Sequence, residues 1–289
     1  MASFYLDGLQ FHYATRGPGP DTFFFQHGIG GSHVQPLRFL QSISNEGSFI
    51  DGQRTCLSQL RLATFDFRAH GRTPVGDPRK LRLDIFADDL VEFMDHLQVE
   101  RAVLGGISMG AAVALNAASR YPQRCIALVL CRPAWMDGSM SSTAIAAYTE
   151  ALKCLREEPL PESALHRLEN SHIYHAVARQ SADAAKSLLG QIRCVISEPS
   201  LREAVLARLH YLPGGQPGVD LTCAAIISVP TLVLATTNDP IHPRSYAQSL
   251  AARIPGALYI ELAPKQLDES PHIREVNAHL VKFLVSILD

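Results

Sequence analysis

The pentapeptide Gly106-Ile107-Ser108-Met109-Gly110 restricts this chain more than any other stretch. It follows an apolar run, Ala102-Val103-Leu104-Gly105, and precedes a run of small residues from Ala111 to Ala118. The first run reads as a short buried strand, the second as a tightly packed helix. A G-x-S-x-G turn between a strand and a helix is a nucleophile elbow. The turn is so tight that the serine must take a strained backbone conformation, and its neighbours have no room for a Cβ. Gly106 and Gly110 meet that demand. The turn lifts the Ser108 hydroxyl clear of the sheet edge. It leaves the Met109 N–H at the start of a helix, where unpaired donors and the helix dipole favour negative charge.

The same alternation of strand and helix runs through much of the chain. Phe4 to Tyr13 reads as a hairpin around Asp7-Gly8. Strands are expected at 22–26, 60–65, 102–105, 126–130, 231–236 and 258–262, and helices at 34–43, 84–97, 245–254 and toward the C-terminus. Residues 45–59 are polar and non-periodic and read as an exposed insertion loop. From Trp135 to about Gly218 the strand-like runs vanish, and helical segments are punctuated by prolines. The expected class is therefore α/β, a mostly parallel sheet covered by helices on both faces, with a helical insertion. The division expected is a core of 1–134 and 219–289 with a lid at 135–218.

Composition excludes several function classes. A formal net charge of −2 leaves no basic footprint for nucleic acid or an anionic membrane. No apolar run approaches spanning length, and residues 1–7 lack the basic and apolar regions of a signal peptide. The six cysteines form no C-x-x-C pair and no zinc spacing. A reduced, cytoplasmic setting is expected, with no metal and no cofactor implied. Cys125 and Cys131 read as small core residues.

Ligands of open α/β sheets bind beyond the carboxyl ends of the strands. One such end carries His27-Gly28-Ile29-Gly30-Gly31, a loop slim enough to bring the Ile29 N–H beside Ser108. Ile29 and Met109 are thus the expected oxyanion donors. His27 reads as structural. Asp239, in Asn238-Asp239-Pro240-Ile241-His242-Pro243, stands where a carboxylate can orient a histidine ring. It also suits a turn residue. His272, between the last strand and the last helix, completes the chain order Ser…Asp…His and is the expected general base. Asn238, His242 and His279 are less well placed by pattern.

Taken together, HGIGG (27–31), DFRAHGRT (66–73), GISMG (106–110), TNDPIHP (237–243) and His272 make the chain resemble the α/β-hydrolase superfamily along nearly its whole length. It is most similar to the bacterial esterase, enol-lactone hydrolase and carbon–carbon hydrolase branch. The resemblance implies an eight-stranded sheet, Ser108 as nucleophile, Asp239 as acid, His272 as base and a lid over the site. Ser108 sets the chain apart from haloalkane dehalogenases and epoxide hydrolases of this fold, which use an aspartate nucleophile. Three departures stand out: Ala69 where many relatives have glycine, the longer loop at 45–59, and no glycine ahead of His272. Asp66 and Arg68 are expected to pin their loop as an ion pair. The expected partner is a small to medium carboxylic ester or lactone, with Trp135 and Met136 at the lid's root shaping its pocket. Carbon–carbon hydrolysis or cofactor-free perhydrolysis on the same triad, or a ligand receptor on a hydrolase scaffold, are the alternatives.

Overall fold

The computed structural model describes residues 2–40, 49–50, 53–54, 57, 60–264 and 270–288. The chain opens on a hairpin of β1 (Ala2–Leu6) and β2 (Leu9–Arg16). Asp7 and Gly8 both take positive φ at its turn, the twist that antiparallel strands demand. Then come β3 (Thr22–Gln26), α1 (Val34–Phe39), the two-residue strands β4 (Phe49–Ile50) and β5 (Gln53–Arg54), and β6 (Arg61–Phe65). Next are α2 (Leu83–His96), β7 (Ala102–Ile107), α3 (Met109–Arg120) and β8 (Cys125–Cys131). Helices alone follow: α4 (Ser142–Glu157), α5 (Pro161–Glu169), α6 (His172–Gln180), α7 (Ala182–Ser197), α8 (Arg202–Tyr211) and the short α9 (Leu221–Ala225). The chain ends on β9 (Thr231–Thr236), α10 (Arg244–Arg253), β10 (Leu258–Leu262) and α11 (Ser270–Leu288).

Eight strands form one sheet in the order β1-β2-β6-β3-β7-β8-β9-β10. β2 is antiparallel to both β1 and β6, and the remaining pairs are parallel. The parallel strands β3, β7 and β9 are buried along their whole length, as strands covered on both faces must be. Their side chains divide by the period of two. Phe24, Leu104, Leu130 and Val233 join the core under α2 and α3. Phe23, Phe25, Val103, Val129 and Leu232 join the core with Phe39 of α1 and Val276, Leu280 and Phe283 of α11.

The helical insertion lies between β8 and β9, and its buried residues, among them Leu155, Leu188 and Leu209, extend the first of these cores. None of the described helices is long and apolar enough to cross a membrane. The expected helix at 34–43 is described only over Val34–Phe39, and most of the expected loop at 45–59 lies outside the described residues. Cys125 and Cys131 are core residues, each almost wholly buried.

Candidate active site

Parallel strands deliver their C-terminal ends to one edge, and Ser108 stands there, between β7 and α3. Its backbone takes φ 57 and ψ −110, a conformation L residues resist. Two constraints hold it: Ser108 N–H donates to Cys131 O at 2.9 Å, and its own carbonyl begins α3 by accepting from Ala111 and Ala112. The flanking glycines have no alternative. A Cβ on Gly106 would sit 2.3 Å from the Gly110 carbonyl carbon, and one on Gly110 would sit 2.3 Å from Gln26 O. The two glycines thus let α3 pack directly on the end of β3.

The ring that reaches Ser108 belongs to His242. Its Nε2 stands 2.9 Å from Ser108 Oγ and its Nδ1 2.8 Å from Asp239 Oδ2. The hydrogen bonds assign the tautomer: Nδ1–H donates to the carboxylate, and Nε2 accepts from the hydroxyl. This corrects the expectation that His272 is the base. His272 lies in the first turn of α11, 5 % exposed. The cause is local. Asp239 Oδ1 accepts from the N–H groups of Ile241 and His242 at 3.1 and 3.2 Å, closing a turn that swings the His242 ring back onto Oδ2. Turn residue and ring-orienting carboxylate, alternatives from sequence alone, are here one side chain. The segment 265–269 just ahead of His272 lies outside the described residues.

A second cluster stands behind Asp239. Arg132, the first residue past β8, has φ 49 and is 7 % exposed. Its guanidinium binds Asp239 Oδ2 through Nε and Nη2, and Nη2 also meets Asp183 Oδ2 of α7 at 2.8 Å. Burial alone opposes ionisation of Asp239, but the His242 ring and the Arg132 guanidinium outweigh it and hold the carboxyl well below its ordinary range. The same carboxylates outweigh burial at Arg132 and raise it. The helical insertion is therefore tied, through Arg132, to the carboxylate that orients His242. Sequence reasoning missed both Arg132 and Asp183. A cation closing the apolar run Leu128-Val129-Leu130-Cys131 was the available signal for Arg132; for Asp183, on an amphipathic helix, there was none.

The glycine-rich loop abuts the serine. A Cβ on Gly28 would lie 3.3 Å from Ser108 Cβ, and Gly28 N–H is held by Gln35 Oε1 at 2.8 Å. Ile29 follows Gly28 on this loop, and Met109 follows Ser108 at the start of α3. His27 is wholly buried. Its Nδ1 bonds Gly28 O and its Nε2 accepts from Phe67 N–H, so it braces two strand ends. The expected Asp66–Arg68 pair does not form. Asp66 accepts from His33 and from Arg72 N–H, while Arg68 takes Asp89 in a two-pronged contact and Asp7 besides. Both residues lie past the end of β6, where the chain turns and side chains two apart no longer share a face as they would within a strand. Trp135 is 1 % exposed in the core, and its indole N–H donates to Gly215 O at 3.2 Å, joining the two roots of the insertion. Met136 is half-buried beside it.

The chain is similar to several known proteins. A profile of the alpha/beta hydrolase fold family matches residues 21–152, which contain the glycine-rich loop and the elbow. A putative carbamate hydrolase, RutD, from Caulobacter sp. strain K31 is 27% identical over 283 residues, covering 91% of this chain and 90% of its own. A 3-oxoadipate enol-lactonase from Acinetobacter baylyi is 25% identical over 206 residues, 66% of each chain. Among solved structures, an enol-lactonase from Burkholderia xenovorans LB400 superposes with a TM-score of 0.73 at 20% identity, covering 98% of this chain and 99% of that one. At that identity the likeness speaks for the fold.

Proposed function

We propose that this chain, which has the alpha/beta hydrolase fold, is a serine hydrolase cleaving a small to medium carboxylic ester or lactone. The observation that carries the proposal is the unbroken chain from Asp239 through His242 to Ser108, with contacts of 2.8 and 2.9 Å. A ligand receptor has no need of a strained serine bonded to an oriented imidazole, and this favours turnover over the receptor alternative. The relatives named as carbamate hydrolase and enol-lactonase support acyl chemistry in general, and an acyl-enzyme on serine is its most direct form here.

In this reading Ser108 Oγ attacks the substrate carbonyl carbon while His242 Nε2 takes its proton. Asp239 stabilises the imidazolium that results. The carbonyl oxygen, now negative, accepts from the Ile29 and Met109 N–H groups. The tetrahedral intermediate collapses, the C–O bond to the alcohol breaks, and His242 gives its proton to that oxygen. Water then attacks the acyl-enzyme, His242 takes its proton, and the carboxylic acid departs as the proton returns to Ser108. The insertion at 135–218 serves as the lid, its root at Trp135 and Met136 shaping the acyl pocket. The partner is a small molecule, and the setting is cytoplasmic, in keeping with the free thiols of the described cysteines.

The test is covalent labelling with a fluorophosphonate beside turnover of p-nitrophenyl esters, lactones and an aryl carbamate. The wild type should take one label and hydrolyse at least one ester or lactone. Ser108→Ala should lose both while its melting temperature holds. Residual activity above a few per cent that co-purifies with the variant would remove Ser108 as nucleophile.

A further inference from the structure

Arg208, on α8, is 2 % exposed, yet no carboxylate pairs with it among the described residues. The other two deeply buried arginines each hold two aspartates: Arg68 with Asp7 and Asp89, Arg132 with Asp183 and Asp239. Arg208 instead meets three neutral acceptors. Nε donates to Gln191 Oε1 at 3.2 Å, Nη1 to Ala69 O at 3.2 Å and Nη2 to Cys194 Sγ at 3.4 Å. A guanidinium has five N–H donors, so one remains on each Nη. Such a pair of parallel donors fits the two oxygens of a carboxylate. Burying a cation without an anion is costly, and burial accordingly lowers the Arg208 proton affinity, only partly offset by Cys194.

Its cavity borders the loop and the strand end that carry the candidate site. Arg208 lines a cavity of about 630 Å³, with Gly30 and Gly31 of the glycine-rich loop and Ile107, the residue before Ser108. Gln191 bridges the two: its Oε1 holds Arg208 and its Nε2 donates to Ile29 O at 3.3 Å. Tyr148 of α4, buried in the insertion, feels the charges of both Asp239 and Arg208. Ala69, whose carbonyl holds Nη1, keeps φ 61, a left-handed conformation that aims this carbonyl at a cost in strain. Two exposed arginines, Arg38 and Arg72, line the same cavity. Of its carboxylates, Asp66 is taken by His33 and the Arg72 N–H, and Glu198 accepts from Ser200 Oγ.

We propose that Arg208 recognises a carboxylate on the substrate, so that the ester or lactone cleaved at Ser108 carries a second, anionic group seated in this cavity. The inference rests on the serine-hydrolase reading and adds the substrate's charge to it. The volume is within the range of small-molecule sites, and the chain supplies a buried cation whose counter-ion comes with the ligand.

The decisive comparison is p-nitrophenyl hydrogen glutarate against the p-nitrophenyl ester of monomethyl glutarate, a near-isostere without the charge. In the wild type, kcat/KM should favour the free acid at least 10-fold, chiefly through KM. Arg208→Gln should shrink that preference by about 10–100-fold, the range for loss of a charged hydrogen bond, and Arg208→Lys should restore part of it. Equal losses on both esters would mark Arg208 as a clamp between α8 and the Ala69 loop, and would overturn the proposal. Calorimetric titration of the wild type and Arg208→Gln with glutarate itself gives a readout independent of turnover. Binding lost in the variant supports the carboxylate site; no binding to the wild type, or inorganic phosphate bound in preference, sinks it. Hydrolysis of both esters without preference would leave the serine mechanism standing and remove only the anionic substrate.

Discussion

At the scale of residues, the candidate site turns on which histidine faces Ser108. His242 is held from both sides, by a carboxylate oxygen at Nδ1 and by the hydroxyl at Nε2. His242→Gln should therefore lower kcat/KM on any accepted ester by about 10⁴–10⁶-fold, as loss of a base or its orienting acid does in serine proteases. His272→Gln should cost less than about 10-fold once any loss of melting temperature is allowed for. The measurement is kcat/KM for both variants on one short p-nitrophenyl ester; the reverse order would return the base to α11. Asp239 shows why one residue can do two jobs. Its Oδ1 closes the turn at Ile241 and His242 while Oδ2 orients the ring and meets Arg132. Its carboxyl is held low by the His242 ring and the Arg132 guanidinium, which favour the ionised form against burial.

At the scale of elements, the elbow is a contact between backbones. β7, α3 and the end of β3 approach so closely at Gly106 and Gly110 that no side chain fits. Gly110→Ala should destabilise the protein by about 3 kcal/mol or more, because the clash is with the β3 main chain and no rotamer relieves it. Gly190 is the contrasting case. It lies within α7, exposed, and a Cβ there meets nothing within 4 Å. Gly190→Ala should therefore raise stability by about 0.5–1 kcal/mol, through helix propensity alone. Denaturant melts of the two variants decide the matter, and a Gly110→Ala protein as stable as the wild type would contradict the packing described. α7 also joins the insertion to the core twice, through Asp183 on Arg132 and through Gln191 on the loop of Ile29. The insertion is thereby bonded both to the Arg132–Asp239 pair and to the glycine-rich loop beside Ser108.

At the scale of the whole molecule, two buried histidines under the site set its response to acid. His27 is buried and its proton affinity falls to about 4; His70 is also held well below its ordinary value, by burial and then by Arg208 and His27. Both stay neutral in the folded protein while the unfolded chain takes up protons below about pH 6.5. The unfolded state thus binds more protons, and stability falls as pH drops from about 6.5 toward 4, by on the order of 3 kcal/mol for His27 alone. Melting temperature recorded across that window should decline steeply, and less so in His27→Gln, which keeps an acceptor for Phe67 N–H; a flat profile in the wild type would show that these rings titrate normally. How the chain folds was largely legible beforehand. The alternation of apolar runs and amphipathic stretches, and the glycines around Ser108, are local properties, and local sterics with period-two and period-3.6 burial suffice to predict the sheet, the elbow and the helical insertion. The Ile29 loop and Asp239 were legible for the same reason, since strand ends in such a sheet share one edge. What only the tertiary structure decided were contacts between residues far apart in sequence: Arg132 with Asp239 and Asp183, Arg68 with Asp89 rather than Asp66, and Arg208 with the loop at Ala69. The choice of His242 over His272 belongs with them. Chain order ranks candidates by strand, whereas a ring three residues past its acid is placed by the geometry of one turn and by where that turn sits over Ser108. Periodicity reports which face of an element is buried; it carries no information about which buried charge meets which.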